Sequence, residues 1–332
     1  MTEANGFLAR VRERVHLPGE RAAGETEADQ RARLVAYLPI AAFVVLAAVA
    51  AITSDAFLGE SNLGNLLRQI VTNGLISLGM LVVILSGGID LSVGPVVALA
   101  GIVGAGLLNA LPWPLAVPIG VVVALLAGAV NGGLVAYFRM PPFVATLATM
   151  SAYRGLVYVY SETPVVPTNT SFRNFVVSSV GPVPSVALVM LACFVLVSLF
   201  LGRTTPGRNL YAIGGNAEAV RLAGINVRAH QLLAYVISGG FAGLGGLILT
   251  SRLGIAQPSV GSGMELDGIA ACVIGGAALS GGVGTVRGTL AGVLLLGLIS
   301  NLLNLYNVQA YYQQIFKGAL IVLAVMTRRR SE

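Results

Sequence analysis

Side chains able to do chemistry are scarce in this sequence. It holds one lysine, Lys317, two histidines, His16 and His230, and two cysteines, Cys193 and Cys272. Both cysteines lie inside apolar runs, so neither a disulfide framework nor a thiolate cluster is available. Neither histidine has a second ligand at a useful spacing, so no metal site is expected. No histidine can meet a buried serine, and Asp90 has no second aspartate in a matching motif, so hydrolase and aspartyl protease chemistry fail as well. The tetrad Leu85-Ser86-Gly87-Gly88, echoed by Leu279-Ser280-Gly281-Gly282, opens like a nucleotide-contacting signature of ATPases. A phosphate-binding loop needs a lysine behind its glycines, however, and Lys317 stands in Gln313-Gln314-Ile315-Phe316-Lys317-Gly318. The chain is therefore not expected to hydrolyse ATP, to be an enzyme, or to carry a cofactor.

The elements that carry these few groups are set by composition. Hydrophobic residues make up 56% and charged residues 10% of the 332, where soluble domains have about a quarter charged. The mean hydropathy is +0.84, and 42 glycines suit transmembrane helices, in which small residues let backbones approach. A barrel would alternate rather than run apolar for about twenty residues. Ten apolar stretches are read as spans: 35–53, 66–85, 93–108, 115–138, 143–160, 183–201, 232–250, 266–279, 289–305 and 312–326. The expectation is an all-α, polytopic integral membrane protein of about ten transmembrane helices, with residues 35–327 in a lipid bilayer.

Sidedness follows from the basic residues. With the N-terminus inside, the cytoplasmic loops collect Arg139, Arg203, Arg208, Arg221, Arg228, Arg287 and Arg328 to Arg330, while external loops hold only Arg173 and Arg252. Both termini are expected in the cytoplasm: a polar tail over 1–34 and a short end over 328–332. Residues 1–33 carry six arginines and six acids, so the net charge of +6 belongs to the membrane body and reports topology, not a nucleic-acid partner. A polar lead of 34 residues is too long for a cleaved signal peptide. Leu85 to Ile89 recurs as Leu279 to Val283, each closing an apolar run, which suggests two related halves.

Two segments stand out against this background. Ser86 to Pro95 breaks an apolar stretch with helix-disfavouring residues and an acid. Non-helical backbone at membrane depth survives only where protein or a water-filled cavity satisfies it. The alternative is an ordinary turn with Asp90 or Ser92 capping the next helix. Gly87, Gly88, Asp90 and Ser92, with the span residues Asn73, Asn131, Asn301 and Asn304, are the candidate pathway lining; the asparagines could equally bond helix to helix. Arg154 and Lys317 are read as snorkelling to an interface. The second segment is the longest cytoplasmic loop, 202–230. Within it Gly214-Gly215-Asn216 leads into a short helix in which Asn216 can cap, Glu218 and Arg221 are charged, Val220 and Leu222 offer apolar surface, and Gly224 can take a left-handed end. Such a surface calls for a partner's groove, or alternatively for the lipid surface.

Taken in order, Gly79-Met80 through Gly94, the loop Gly207–Ile225, Met264-Glu265-Leu266-Asp267-Gly268-Ile269-Ala270 leading to Ile274-Gly275-Gly276 and Leu279 to Gly282, and Asn304-Leu305 to Tyr312-Gln313-Gln314 resemble the permease subunits of bacterial ribose-type ABC importers. The resemblance extends from about residue 40 to 326 and departs at Leu81 and at Ser300-Asn301-Leu302. It implies a homo- or heterodimer of permeases in the bacterial inner membrane, cytoplasmic ATPase subunits gripping Gly215–Gly224, and an external solute-binding protein delivering a monosaccharide. Related branches carry a quorum-signalling furanose or, more distantly, branched-chain amino acids. A gradient-driven carrier or facilitator is the rival reading, and it would require intramembrane carboxylates or cation-binding breaks. Asp90 is the one candidate acid well inside the body.

Overall fold

The computed structural model describes residues 27–329. The chain divides at Pro39 into two units. Of the first, the described part is the beginning of α1 (Glu27–Thr53), which starts inside the expected tail 1–34; the rest of that tail and the last residues of the expected C-terminal segment lie outside the described residues.

The second unit is built from helices: the remainder of α1, then α2 (Glu60–Leu85), α3 (Val93–Leu108), α4 (Trp113–Ala136), α5 (Pro142–Tyr160), α6 (Ser171–Val177), α7 (Ser185–Arg203), α8 (Thr205–Leu222), α9 (Val227–Leu253), α10 (Met264–Ile274), α11 (Val286–Leu305) and α12 (Ala310–Arg329). An antiparallel hairpin of β1 (Ser179–Val180) and β2 (Val183–Pro184) and an isolated antiparallel bridge between Val165 and Ala256 are the departures from an all-α architecture among the described residues. Each of the ten apolar stretches falls on a helix. By length and composition, α2, α4, α7, α9 and α11 can cross a membrane, and Leu38–Thr53 and Val93–Leu108 are shorter apolar helices.

α2 is the centre of the bundle. From Ile70 to Leu85 almost every residue is buried, which is why its sequence is apolar all round rather than on one stripe. α9 packs against α2, α3 and α4 through small residues. A Cβ on Gly239 would come 2.3 Å from the carbonyl oxygen of Ala124, and one on Gly246 2.2 Å from that of Val97. Backbones therefore touch directly, as small-residue faces allow in lipid. α10 and α11 meet in the same way, with Gly292 against the Ala271 carbonyl. At one end of α11, Leu298 joins Ala50 and Phe57 in a separate apolar cluster that seats α1.

One expectation needs correction. Besides the short helix that Asn216 caps, residues 202–230 hold a further helix before it, from Thr205 to the break at Asn216. Thr204 caps α8 by accepting from the Gly207 amide at 3.2 Å, Pro206 stands in its first turn, and Leu210 and Ile213 bury on the body. α8 then runs to Leu222 with one break, at Asn216 (φ −159, ψ 93). The break at Asn216 is where Gly214-Gly215-Asn216 signals one; what the sequence conceals is the half before it, which burial of Leu210 and Ile213 holds helical.

Candidate functional site: the break between α2 and α3

The backbone leaves α2 at Ser86, takes a left-handed turn at Gly87 (φ +81) and resumes as α3 at Val93. A Cβ at Gly88 would come 2.5 Å from the Tyr235 hydroxyl, so glycine lets the loop lie against α9 without displacing that side chain. Asp90, 1% exposed, is the hub. Its Oδ1 accepts from the Ser92 amide at 3.0 Å, the Ser92 hydroxyl at 2.7 Å and the Asn131 amide at 3.4 Å; its Oδ2 accepts from the Ser238 hydroxyl at 2.9 Å. Asn131 also donates to Ser92 Oγ at 2.6 Å, and Tyr153 donates to the Ala127 carbonyl at 2.8 Å and to Asn131 Oδ1 at 3.4 Å. The Ile89 carbonyl accepts from Thr146 at 3.2 Å and Tyr235 at 3.4 Å.

These bonds tie the break to α4, α5 and α9 at once. A carboxylate buried in apolar surroundings is tolerated when its oxygens are saturated by donors. The arrangement therefore fixes backbone; it does not present a free base. Asp90 turns onto the Ser92 amide in a local Asx-type turn, and Ser92 spends its hydroxyl on Asp90 rather than on the first amides of α3, so the capping expected of either side chain is not made.

Of the eight candidate pathway residues, Gly88, Asp90, Ser92 and Asn131 come together here, with Gly87 exposed beside them. The other three stand apart. Asn73 is half-buried on α2. Asn301 exchanges hydrogen bonds with Asn62 at 2.9 and 3.2 Å, joining α11 to α2, and Asn304 accepts from Gln313 at 2.8 Å. Both act as helix-to-helix ties in this structure. Ser238, Tyr153, Tyr235 and Thr146 belong to the network but were not singled out by sequence. Ser238 alone carries a readable signal, a small polar residue just before Gly239-Gly240 within an apolar span. Nor do Arg154 and Lys317 merely reach for an interface: Arg154 donates to the carbonyls of Pro258 and Val260, and Lys317 pairs with Asp267 at 2.8 Å.

On α8, Gly215, Asn216, Glu218, Arg221, Leu222 and Gly224 are exposed, Gly214 is half-buried and Val220 is buried. Val220 thus faces its own chain, contrary to its expected place on an outward apolar surface; Leu222, 76% exposed, holds that place instead. Asn216 accepts from the Ala219 amide at 2.9 Å and Gly224 has φ +82, so both terminal signals operate. Arg221 donates to Glu218 from Nε at 2.9 Å, and this hydrogen bond holds the Glu218 carboxyl below its ordinary range.

At the other end of α2 a cavity of about 510 Å3 is lined by Asn65, Arg68, Gln69, Val177, Arg252 and Leu253. The bundle thus carries a polar recess at one end of α2 and, at the other, a buried break in contact with the exposed, kinked α8.

The family described as the branched-chain amino acid transport system permease component matches residues 62–325. The chain is 43% identical over 88% of its length to the ribose import permease protein RbsC of Bacillus subtilis (strain 168), covering 92% of that protein. It is 40% identical to RbsC of Escherichia coli (strain K12), with 91% of this chain and 96% of that one covered. The xylose transport system permease protein XylH of Escherichia coli (strain K12) is 36% identical, over 89% and 94%. No solved structure matches. The chain belongs to this permease family and is an integral protein of the inner membrane.

Proposed function

We propose that the chain is the membrane-spanning subunit of an ATP-binding-cassette importer that brings a monosaccharide into the bacterial cytoplasm. The observation that carries this reading is the similarity along about nine-tenths of the chain to permeases named for ribose and xylose import. A pentose is accordingly the preferred solute class, ahead of a furanose signal or a branched-chain amino acid. Energy would come from separate ATPase subunits seated on the exposed side of α8 around Gly215, Asn216, Glu218, Arg221, Leu222 and Gly224. An external binding protein would deliver the solute, and a second permease subunit would complete the membrane unit.

The gradient-driven alternative needs a carboxylate free to exchange a cation or proton. Asp90 has both oxygens engaged by Ser92, Asn131 and Ser238, which supports the ATP-driven reading. Ten membrane crossings with both termini inside remain part of this proposal.

The test is co-purification of the ATPase with variants of α8. Gly215→Trp places bulk where nothing lies within 4 Å, and Leu222→Asp places a charge on an exposed apolar position, so both should leave the bundle folded. Each should release the ATPase and abolish ribose or xylose uptake, because an unpaired charge or a steric block at a desolvated contact is strongly unfavourable. Normal ATPase recovery and uptake in both variants would remove α8 as the docking element.

A further inference from the structure

Three segments far apart in sequence meet backbone to backbone: the loop after α2 at Gly87, α8 at Gly214, and the loop after α10 at Gly281 and Gly282. A Cβ on Gly214 would lie 2.1 Å from the Leu85 carbonyl oxygen and 2.2 Å from the Gly282 nitrogen. One on Gly281 would lie 2.9 Å from the Cα atoms of both Gly214 and Gly87, and one on Gly282 2.8 Å from the Gly215 nitrogen. The Gly282 amide donates to the Leu85 carbonyl at 3.2 Å, and Tyr211, one turn before Gly214 on α8, donates its hydroxyl to the Gly284 carbonyl at 3.1 Å. The two echoing Leu-Ser-Gly-Gly stretches thus touch each other and close on the same point of α8.

A side chain between two elements can absorb a small displacement by changing rotamer, whereas packed backbones transmit it, because interiors at this density compress little. Gly215, adjacent to Gly214, has nothing within 4 Å of its missing Cβ, and Asn216 breaks the helix immediately after. Neighbouring residues of α8 therefore present one inward contact and one open face. Asp90 is three residues along the chain from Gly87, so a shift at Gly214 reaches the hub of the α2–α3 break by the shortest route.

We propose that this three-way glycine contact is the link by which movement of α8 reaches the Asp90 network and the loop after α10 together, making Gly214 and Gly281 positioning residues for transport. The proposal rests on the reading of α8 as the ATPase-contacting element, and Leu222→Asp tests that reading separately.

The experiment uses the full complex of permease, ATPase and binding protein in proteoliposomes. Radiolabelled ribose or xylose is the probe, whichever the wild type accumulates, and the readout is solute moved per ATP hydrolysed. A merely structural defect leaves fewer working complexes and lowers both quantities in proportion, leaving the ratio unchanged. Loss of transmission lowers the ratio. Gly214→Ala should retain the ATPase yet move at least about fivefold less solute per ATP. Tyr211→Phe removes one hydrogen bond at the same contact without adding bulk and should lower the ratio by about fivefold, the equivalent of one net hydrogen bond used in only one of two states. Gly133→Ala, where nothing lies within 4 Å, should leave the ratio unchanged. A wild-type ratio in Gly214→Ala overturns the proposal. So does a wild-type ratio in Tyr211→Phe if Gly214→Ala fails to assemble. If Gly215→Trp and Leu222→Asp both keep their ATPase and uptake while Tyr211→Phe loses coupling, the docking assignment falls and the glycine link stands.

Discussion

Replacing Asp90 separates a carboxylate that holds backbone from one that carries charge through the membrane. Asp90→Ala deletes the acceptor for four hydrogen bonds: the Ser92 amide, the Ser92 and Ser238 hydroxyls, and the Asn131 amide. The losses differ. Both hydroxyls can rotate toward other acceptors, and Asn131 keeps its 2.6 Å bond to Ser92 Oγ, so those groups recover part of their satisfaction. The Ser92 amide is held by backbone geometry and cannot turn. A buried donor without an acceptor costs about 1–3 kcal/mol, and with partial losses elsewhere the expected destabilisation of Asp90→Ala is on the order of 3 kcal/mol. Asp90→Asn keeps one acceptor oxygen and puts an amide against Ser238, whose hydroxyl can reverse and accept, so the expected cost is about 1 kcal/mol. Thermal unfolding in detergent should order the proteins wild type, then Asn closely behind, then Ala far below. Uptake should persist in Asp90→Asn. Equal stability of the Asn and Ala variants would refute the hub, and a stably folded Asp90→Asn devoid of uptake would point to charge transfer through Asp90.

Other expectations follow from the same geometry. Gly128→Ala would drive a methyl to 2.3 Å from the Tyr235 carbonyl oxygen, so α4 and α9 must separate at a cost of about 1–3 kcal/mol; Gly133→Ala on the same helix meets nothing and should be neutral or stabilising by about 0.5–1 kcal/mol. Thermal melts of the pair check both. Lys317→Met strands Asp267, whose side chain is 16% exposed, and should cost about 1–2 kcal/mol, intermediate between exposed and buried pairs, with most of the loss recovered in Lys317→Met combined with Asp267→Asn. After replacement of Cys193 and Cys272, cysteines at Thr168 and Gln257 should label in sealed cells, and cysteines at Asn209 and Ala223 only after permeabilisation; external labelling of Asn209 would overturn the orientation. The purified chain alone should release no phosphate from ATP, and hydrolysis by a preparation free of other subunits would contradict that.

The helices were largely legible because a membrane helix is written in composition. Val93–Leu108 matches its helix end to end, the spans closing at Thr53, Leu85, Tyr160 and Leu305 end with their helices, and the other boundaries are displaced, because capping and not hydropathy sets them. The second half of α8, from the Asn216 cap to Gly224, was legible, whereas the first half was not, since it owes its form to burial of Leu210 and Ile213 on the bundle. The same tertiary dependence misplaced Val220: a short helix with apolar residues at neighbouring positions does not reveal which of them its own chain will cover. At the site, the break itself was visible in Ser86 to Pro95. Asn131 was singled out, but not as a partner of Asp90, and Ser238 and Tyr153 were not singled out, because Asn131 and Ser238 meet Asp90, and Tyr153 meets Asn131, only once α4, α5 and α9 pack; an isolated polar residue on an apolar helix looks alike whether it lines a pathway or ties two helices. The glycines of the two echoing tetrads were visible as a repeat, while their shared contact with Gly214 is purely three-dimensional.

The central claim, that this permease family member moves a monosaccharide under the drive of a separate ATPase, is tested most directly by reconstitution. Proteoliposomes holding the chain with its ATPase, supplied outside with binding protein and radiolabelled ribose or xylose, should accumulate sugar against its gradient when ATP is enclosed and not when a non-hydrolysable analogue replaces it. Accumulation by the chain alone, driven by an imposed ion gradient without ATPase or ATP, would contradict the account.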